Sequence, residues 1–148
     1  MPSIIGNLEP RDDYTHEPGP ESNFNESVYF NFFDREHGRG GFVRMGNRVN
    51  EGHAELTLCL FEPDGSVYFN YRKPDIDTND GWNAGGMHIE VLTPVERVRT
   101  QYDGKAVYLA DPLHMTDPRR AFKENPWHDV HLDLIHEGPE RRAGLFEL

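Results

Sequence analysis

The sequence predicts an all-β protein, built as an antiparallel meander of about eight strands. Short segments rich in aromatic and branched residues recur along the chain, and strong turn signals separate them. The predicted strands are 27–33, 41–46, 53–61, 67–72, 87–92, 97–102, 106–109 and 128–136. About eight antiparallel strands are typical of a small barrel, so we expect either a closed barrel or a strongly curved sheet.

The turn residues indicate which strands are neighbours. Glu62-Pro63-Asp64-Gly65 places Pro where φ is preset and Gly where a left-handed conformation is needed, which predicts a hairpin. Asp103-Gly104 predicts a second hairpin turn, and 34–40 and 47–52 predict longer hairpin loops. Residues 73–86 hold too many turn formers for a strand, and loops of that length are often functional.

One short helix near 118–124 interrupts the strand pattern. Asp117 is a good N-cap residue, and Pro118 fits the first helical position. Asn125-Pro126 should end this helix after two turns. Asp111-Pro112 breaks the strand pattern in the same way a few residues earlier.

Alternation of residue types within strands predicts which side chains form the core. In 53–61 one face carries Ala54, Leu56, Leu58 and Leu60, whereas the other carries Glu55, Thr57, Cys59 and Phe61. The aliphatic face should lie in the core. The strand 27–33 has aromatic bulk on both faces, so we expect it to be covered on both sides.

Length and composition limit the protein classes. A chain of 148 residues suits one domain, which we place at 25–136, after an extended acidic arm over 1–24. Residues 137–148 form either a C-terminal tail or the start of a second domain. The net charge of −11 argues against binding of nucleic acid or anionic membrane. A single cysteine, and no recognisable signal peptide or membrane span, predict a cytoplasmic protein.

Three segments near the start of the domain carry a family resemblance: 25–34, 40–48 and 50–52. They resemble bacterial proteins of unassigned function that are distantly similar to the carotenoid hydratase and AttH-like group. The resemblance covers about residues 10–136. It implies a lipocalin-like, calycin-type β domain, often the first of two, associated with isoprenoid-like or polycyclic molecules. Where that group typically reads Glu-Trp-Trp-Tyr, this chain has Glu26-Ser27-Val28-Tyr29.

The leading functional hypothesis is binding of a hydrophobic small molecule, of isoprenoid, steroid or polycyclic type, inside the barrel. The polar or amphipathic residues expected to orient this ligand are Tyr29, Asn31, Arg44, Tyr71 and Trp82. An enzyme that hydrates, isomerises or cyclises such a substrate is the alternative, with Glu26 as the acid and Tyr29 as its partner. A third hypothesis is an interaction domain whose core is filled by its own side chains.

No cofactor is expected, and no metal site. His53 with Glu55 and His88 with Glu90 would approximate a metal site only if their strands lay side by side, and a solvated outer face is the better interpretation. Cys59 has no base nearby in the sequence, so we expect it to be structural. The expected partners are a hydrophobic small molecule and either a second copy of the chain or a second lipocalin-like domain.

Overall fold

Eight antiparallel strands form one curved sheet in residues 9–138, the part of the chain that the computed structural model describes. The bounds of the strands are β1 (Glu26–Asp34), β2 (Arg39–Arg48), β3 (His53–Phe61), β4 (Val67–Arg72), β5 (Trp82–Ala84), β6 (Met87–Thr93), β7 (Arg97–Leu109) and β8 (Trp127–Glu137). One α-helix, α1 (Pro118–Glu124), lies between β7 and β8. The predicted all-β meander with one short helix is confirmed.

The sheet is strongly curved but not closed. Its strand order is β1-β2-β3-β4-β7-β6-β5, and β8 pairs with β7 beside this path. The edges β1 and β8 approach each other through side chains, because the rings of Phe30 and His136 lie 5.0 Å apart between centroids. Of the two predicted alternatives, the structure adopts the curved sheet rather than the closed barrel.

The inner face of the sheet is the hydrophobic core, as the alternation in β3 predicts. Met45, Leu56, Leu58, Met87 and Tyr102 are completely buried within it. Smaller and partly buried neighbours fill the space between them: Val28, Phe30, Val43, Ala54, Leu60, Tyr68, Ile89, Ala106, Val130 and Leu132. The protein's own side chains therefore occupy the interior.

The predicted hairpin at Asp103-Gly104 is wrong. β7 runs unbroken from Arg97 to Leu109, and Gly104 pairs with Val130 of β8 in a ladder that continues on both sides. The long pairing with β8 overrides the local turn preference, because a turn here would break the backbone hydrogen bonds of a continuous ladder. The eighth strand is instead β5, which lies inside the predicted loop 73–86. A tight turn at Gly85-Gly86, with φ values of 62° and 90°, connects β5 to β6.

The other turn and cap predictions are confirmed. Gly65 adopts φ 88° in the hairpin between β3 and β4. The Asp117 carboxylate accepts a hydrogen bond from the Arg120 backbone N–H at 3.4 Å, which caps α1. At Asp111-Pro112 the chain forms a 3-10 turn rather than an α-helix. Among the described residues, no helix has the length and apolar character needed to cross a membrane.

The first strand is covered on one side only. Its inner residues Val28 and Phe30 pack against the core, but Tyr29 and Phe33 on the outer face are 56% and 68% exposed. The expectation that other parts of the domain cover both faces is therefore wrong for the described residues. The helix α1 packs over β4 and β7 instead, where Phe122 contacts Phe69, and this leaves the outer face of β1 exposed.

Residues 9–25 run across one end of the sheet. Asn79 donates its side-chain amide to the His16 carbonyl at 2.7 Å, and the Gly81 backbone N–H donates to the Thr15 hydroxyl at 3.1 Å. The Asn50 amide donates to the carbonyls of Gly19 and Glu21, at 2.8 Å each. Side-chain amides therefore anchor this segment to the loops at that end. The first eight residues of the predicted arm, and the predicted tail after Gly138, lie outside the described residues.

Candidate functional site

A gap in the sheet opens into a cleft. β4 pairs with β7 only from Val67–Leu109 to Phe69–Val107, and β6 pairs with β7 only over Arg97–Tyr102. Residues 103–106 of β7 therefore have no strand beside them on that side. The resulting open cleft has a volume of about 560 Å³, which lies within the usual range for small-molecule sites.

Side chains satisfy the backbone at the floor of the cleft. The Lys105 carbonyl, which a neighbouring strand would otherwise engage, accepts from the Asn70 amide at 2.7 Å and from the Tyr102 hydroxyl at 2.6 Å. The same Asn70 amide also donates to the Tyr102 oxygen at 3.2 Å. Asn70 is 4% exposed and Tyr102 is fully buried. This network keeps the gap open without leaving a buried carbonyl unpaired.

Aromatic rings form the walls of the cleft. Tyr71 stands on β4, while Phe122 of α1 and Trp127 of β8 lie opposite. Phe122 and Trp127 stack with centroids 5.5 Å apart, and the Trp127 indole donates to the Phe122 carbonyl at 2.9 Å. Tyr71 and Trp127 are each 40% exposed. The short helix therefore has a specific role, because it holds two large rings in place beside the gap.

Two cationic side chains complete the lining of this cleft. Arg72 belongs to β4, and Lys105 belongs to the unpaired section of β7. Arg72 donates from Nη1 to the Gly85 carbonyl at 3.0 Å, and the Lys105 ammonium contacts the Asp129 carboxylate at 2.8 Å. Apolar walls and cationic groups thus meet at one place.

The structure brings four of the five predicted ligand residues to the outer face of the sheet. Tyr29 pairs with Arg44, Arg44 with Thr57, and Thr57 with Tyr71, so one row crosses β1 to β4. Asn31 is exposed in the neighbouring row, which continues through Phe42. These residues face away from the core, and Tyr71 alone among them lines the cleft.

A charged network accompanies the Tyr29–Tyr71 row. Arg44 lies 3.7 Å from Glu55, and Arg48 lies 3.3 Å from Glu55 and 2.8 Å from Glu51. Glu51 and, to a lesser degree, Glu55 raise the pKa of Arg48. Glu55 pairs with Arg44, and Glu51 and Glu55 pair with Arg48, so the outer face near β2 offers little uncompensated positive charge.

The fifth predicted ligand residue, Trp82, lies with the core. It is 4% exposed, and its indole donates to the Glu26 backbone carbonyl at 3.3 Å. Trp82 is therefore close to Glu26 but separated from the outer-face residues by the sheet.

The two predicted catalytic residues lie on opposite faces of β1. Glu26 shares the inward direction of Val28 and Phe30, whereas Tyr29 stacks on Phe42 outside, at 5.4 Å between centroids. The Glu26 carboxylate contacts His16 Nδ1 at 2.8 Å, and this hydrogen bond raises the pKa of His16. The catalytic assignment stays a prediction, and the observed contact is an ion pair that anchors residues 9–25.

The remaining candidate groups lie apart from one another. β3 and β6, which carry the His53/Glu55 and His88/Glu90 pairs, are not neighbours. Within residues 9–138 no cluster of three or more His, Cys, Asp or Glu side chains could hold a metal ion. Cys59 is 8% exposed, and burial raises the pKa of its thiol to about 11.

The sequence interpretation missed Asn70, Arg72, Lys105, Phe122 and Trp127 as site residues. Asn70 had a recognisable signal, because it is a polar residue on the face of β4 that pairs with Leu58 of the core. A buried amide of this kind must find a hydrogen-bond partner. Lys105 and Trp127 come together through the pairing of β7 with β8, whereas Arg72 is brought in by β4 and Phe122 by α1, and this convergence has no local signature.

The chain belongs to a family described as a domain of unknown function, DUF7064, whose model matches residues 9–142. No curated protein and no solved structure matches the chain. The curved antiparallel sheet fits a lipocalin-like fold.

Proposed function

We propose that this member of the DUF7064 family binds a small hydrophobic molecule, and that the cleft between β4 and β7 is the binding site. The observation that carries the proposal is the aromatic cleft of about 560 Å³ at a gap whose backbone is already satisfied. A ligand there would bury aromatic surface without having to replace lost hydrogen bonds. The resemblance of 25–52 to the carotenoid hydratase and AttH-like group supports isoprenoid, steroid or polycyclic ligands.

The packed interior favours the cleft over the inside of the sheet. Leu56, Leu58, Met87 and Tyr102 fill the space that an enclosed ligand would need. Displacing them would cost core packing, whereas the cleft walls are already partly exposed. The proposal therefore keeps the hydrophobic ligand of the sequence interpretation and moves it from the interior to the cleft in the sheet.

Binding of N-phenyl-1-naphthylamine, an uncharged probe that fluoresces in apolar surroundings, tests the proposal. We expect saturable binding to the wild type and an affinity lower by about tenfold or more in Trp127→Ala, because one aromatic wall is worth roughly 1.5–3 kcal/mol. Tyr71→Ala, on the opposite wall, should weaken binding in the same direction. Phe33→Ala is the matched control, since Phe33 is also an exposed ring but does not line the cleft.

Circular dichroism of each variant separates loss of the site from loss of the fold. If folded Trp127→Ala and Tyr71→Ala bind the probe as well as the wild type does, the cleft is not the binding site. Equal weakening in Phe33→Ala would identify non-specific adsorption to exposed rings and would also contradict the proposal.

A second candidate function is self-association through the outer face of β1–β3. Tyr29, Phe42 and Phe61 form a chain of ring contacts there, and Tyr29, Phe33 and Phe61 are 46–68% exposed. A second copy of the chain could cover this face in a two-fold dimer. Sedimentation should then show a dimer in the wild type and a monomer in Phe33→Glu, and a monomeric wild type would exclude this candidate.

A further inference from the structure

The cleft has a local charge opposite to that of the chain. The sequence contains 26 acidic and 15 basic residues, yet Arg72 and Lys105 line the cleft and no carboxylate does. A random section of this surface would more often present carboxylates. Cations at an aromatic cleft are a feature that a purely hydrophobic ligand does not require.

Arg72 is positioned without being neutralised. Its Nη1 donates to the Gly85 carbonyl at 3.0 Å, which fixes the guanidinium beside the turn between β5 and β6. Within residues 9–138 it forms no ion pair, although other arginines there pair with carboxylates. A guanidinium has several N–H donors in a planar fork, so most of them stay available to an anion.

Lys105 has a partner that a ligand could replace. Its ammonium contacts Asp129 at 2.8 Å, but the two side chains are 63% and 87% exposed. Exposed pairs of this kind contribute little to stability. An anion on the ligand can therefore take the place of Asp129 at small cost.

We infer that the ligand of the cleft is an amphipathic anion, with its apolar body between Tyr71, Phe122 and Trp127 and its carboxylate, sulfonate or phosphate group at Arg72 and Lys105. This inference rests on the proposed function, because it specifies the chemical class of the molecule bound at the same site. The aromatic walls supply affinity, and the two cations orient the head group. Asp129 competes with the head group for Lys105.

Two probes that differ by one charged group test this inference. 8-Anilinonaphthalene-1-sulfonate has the skeleton of N-phenyl-1-naphthylamine with an added sulfonate. We expect Arg72→Gln to weaken sulfonate-probe binding about fivefold, since one charge-assisted hydrogen-bonding group is lost at a partly exposed site. Asp129→Asn should strengthen it about twofold, because Lys105 loses its competitor. Neither change should alter the affinity for the uncharged probe by more than about twofold.

Arg97→Gln is the control for net charge. Arg97 pairs with Glu137 at 3.3 Å and does not line the cleft. The substitution Arg97→Gln removes one positive charge, as Arg72→Gln does, and should leave sulfonate-probe binding unchanged within about twofold.

The outcomes separate this inference from the function on which it rests. If both probes bind and Arg72→Gln leaves the sulfonate probe unaffected, or Arg97→Gln weakens it equally, the anionic ligand class is wrong while hydrophobic binding stands. If neither probe binds the folded wild type, the proposed function fails and the inference fails with it. Opposite effects of Arg72→Gln and Asp129→Asn on the sulfonate probe alone would support the inference.

Discussion

Removing the Tyr102 hydroxyl should lower the free energy of unfolding, because that hydroxyl forms hydrogen bonds at the floor of the cleft. In Tyr102→Phe the buried ring stays in place, so the change removes one oxygen atom and its hydrogen bonds. That oxygen donates to the Lys105 carbonyl at 2.6 Å and accepts from the Asn70 amide at 3.2 Å. The Lys105 carbonyl keeps its second donor, the Asn70 amide at 2.7 Å, so no acceptor is left without a partner.

The expected loss in the free energy of unfolding follows from these contacts. Two hydrogen bonds at a net value of roughly 0.5–1.5 kcal/mol each would give about 1–3 kcal/mol. Because Asn70 still satisfies the carbonyl, we expect the lower part of this range, about 1–2 kcal/mol. For a domain of this size the midpoint of thermal unfolding should fall by roughly 2–8 °C.

Urea unfolding followed by circular dichroism measures this loss. The m-value, which is the slope of the free energy of unfolding against urea concentration, should be unchanged. Tyr29→Phe is the matched control, because the same oxygen is removed from a ring that is 56% exposed. Its effect should stay within about 0.5 kcal/mol. A loss in Tyr102→Phe no larger than that in Tyr29→Phe would refute the account of the cleft floor.

Three further predictions concern single positions. Gly86→Ala should cost more than about 2 kcal/mol, because Gly86 has φ 90° and its added Cβ would clash with the Asp103 carbonyl oxygen. Gly65→Ala, at φ 88° with nothing within 4 Å, should cost about 1 kcal/mol, and equal unfolding midpoints for the two variants would contradict this. The Glu26 hydrogen bond raises the pKa of His16 above 6.5, so the pair stabilises the fold fully below pH 6.5 and loses its effect as the pH rises through the raised pKa. An NMR titration should show the pKa of His16 return toward 6.5 in Glu26→Gln. An unchanged titration would contradict the contact. Burial raises the pKa of Cys59 to about 11, so only about one thiol in a thousand is ionised at pH 8. Reaction with a disulfide reagent should therefore be slow until urea unfolds the chain. Fast reaction of the native protein would contradict the burial of Cys59.

Sequence patterns predicted the structural elements that depend on residues close together in the chain. The alternation in β3 identified its buried face, and Asp117-Pro118 with Asn125-Pro126 marked the ends of α1. Asp103-Gly104 misled because its turn preference is weaker than the continuous pairing of β7 with β8. A local sequence pattern does not predict pairing between strands that are distant in the chain.

In the candidate site, too, single residues could be predicted from the sequence, but the arrangement that depends on strand pairing could not. Tyr71 was identified from its own chemistry and does line the cleft, whereas the gap itself arises where β4 leaves β7 after Phe69. Trp127 becomes a wall residue because it pairs with Val107. Strand alternation places Tyr29 on the face of β1 opposite to Val28 and Phe30, but which of the two faces is enclosed depends on the curvature of the whole sheet.

A two-dimensional NMR spectrum of the indole N–H groups tests the central claim most directly. The chain has two tryptophans: Trp127 in the wall of the cleft and Trp82 in the core. Titration with 8-anilinonaphthalene-1-sulfonate should shift the Trp127 indole signal and leave that of Trp82 unchanged. A shift of the Trp82 signal alone would place the ligand inside the sheet and contradict a binding site in the cleft.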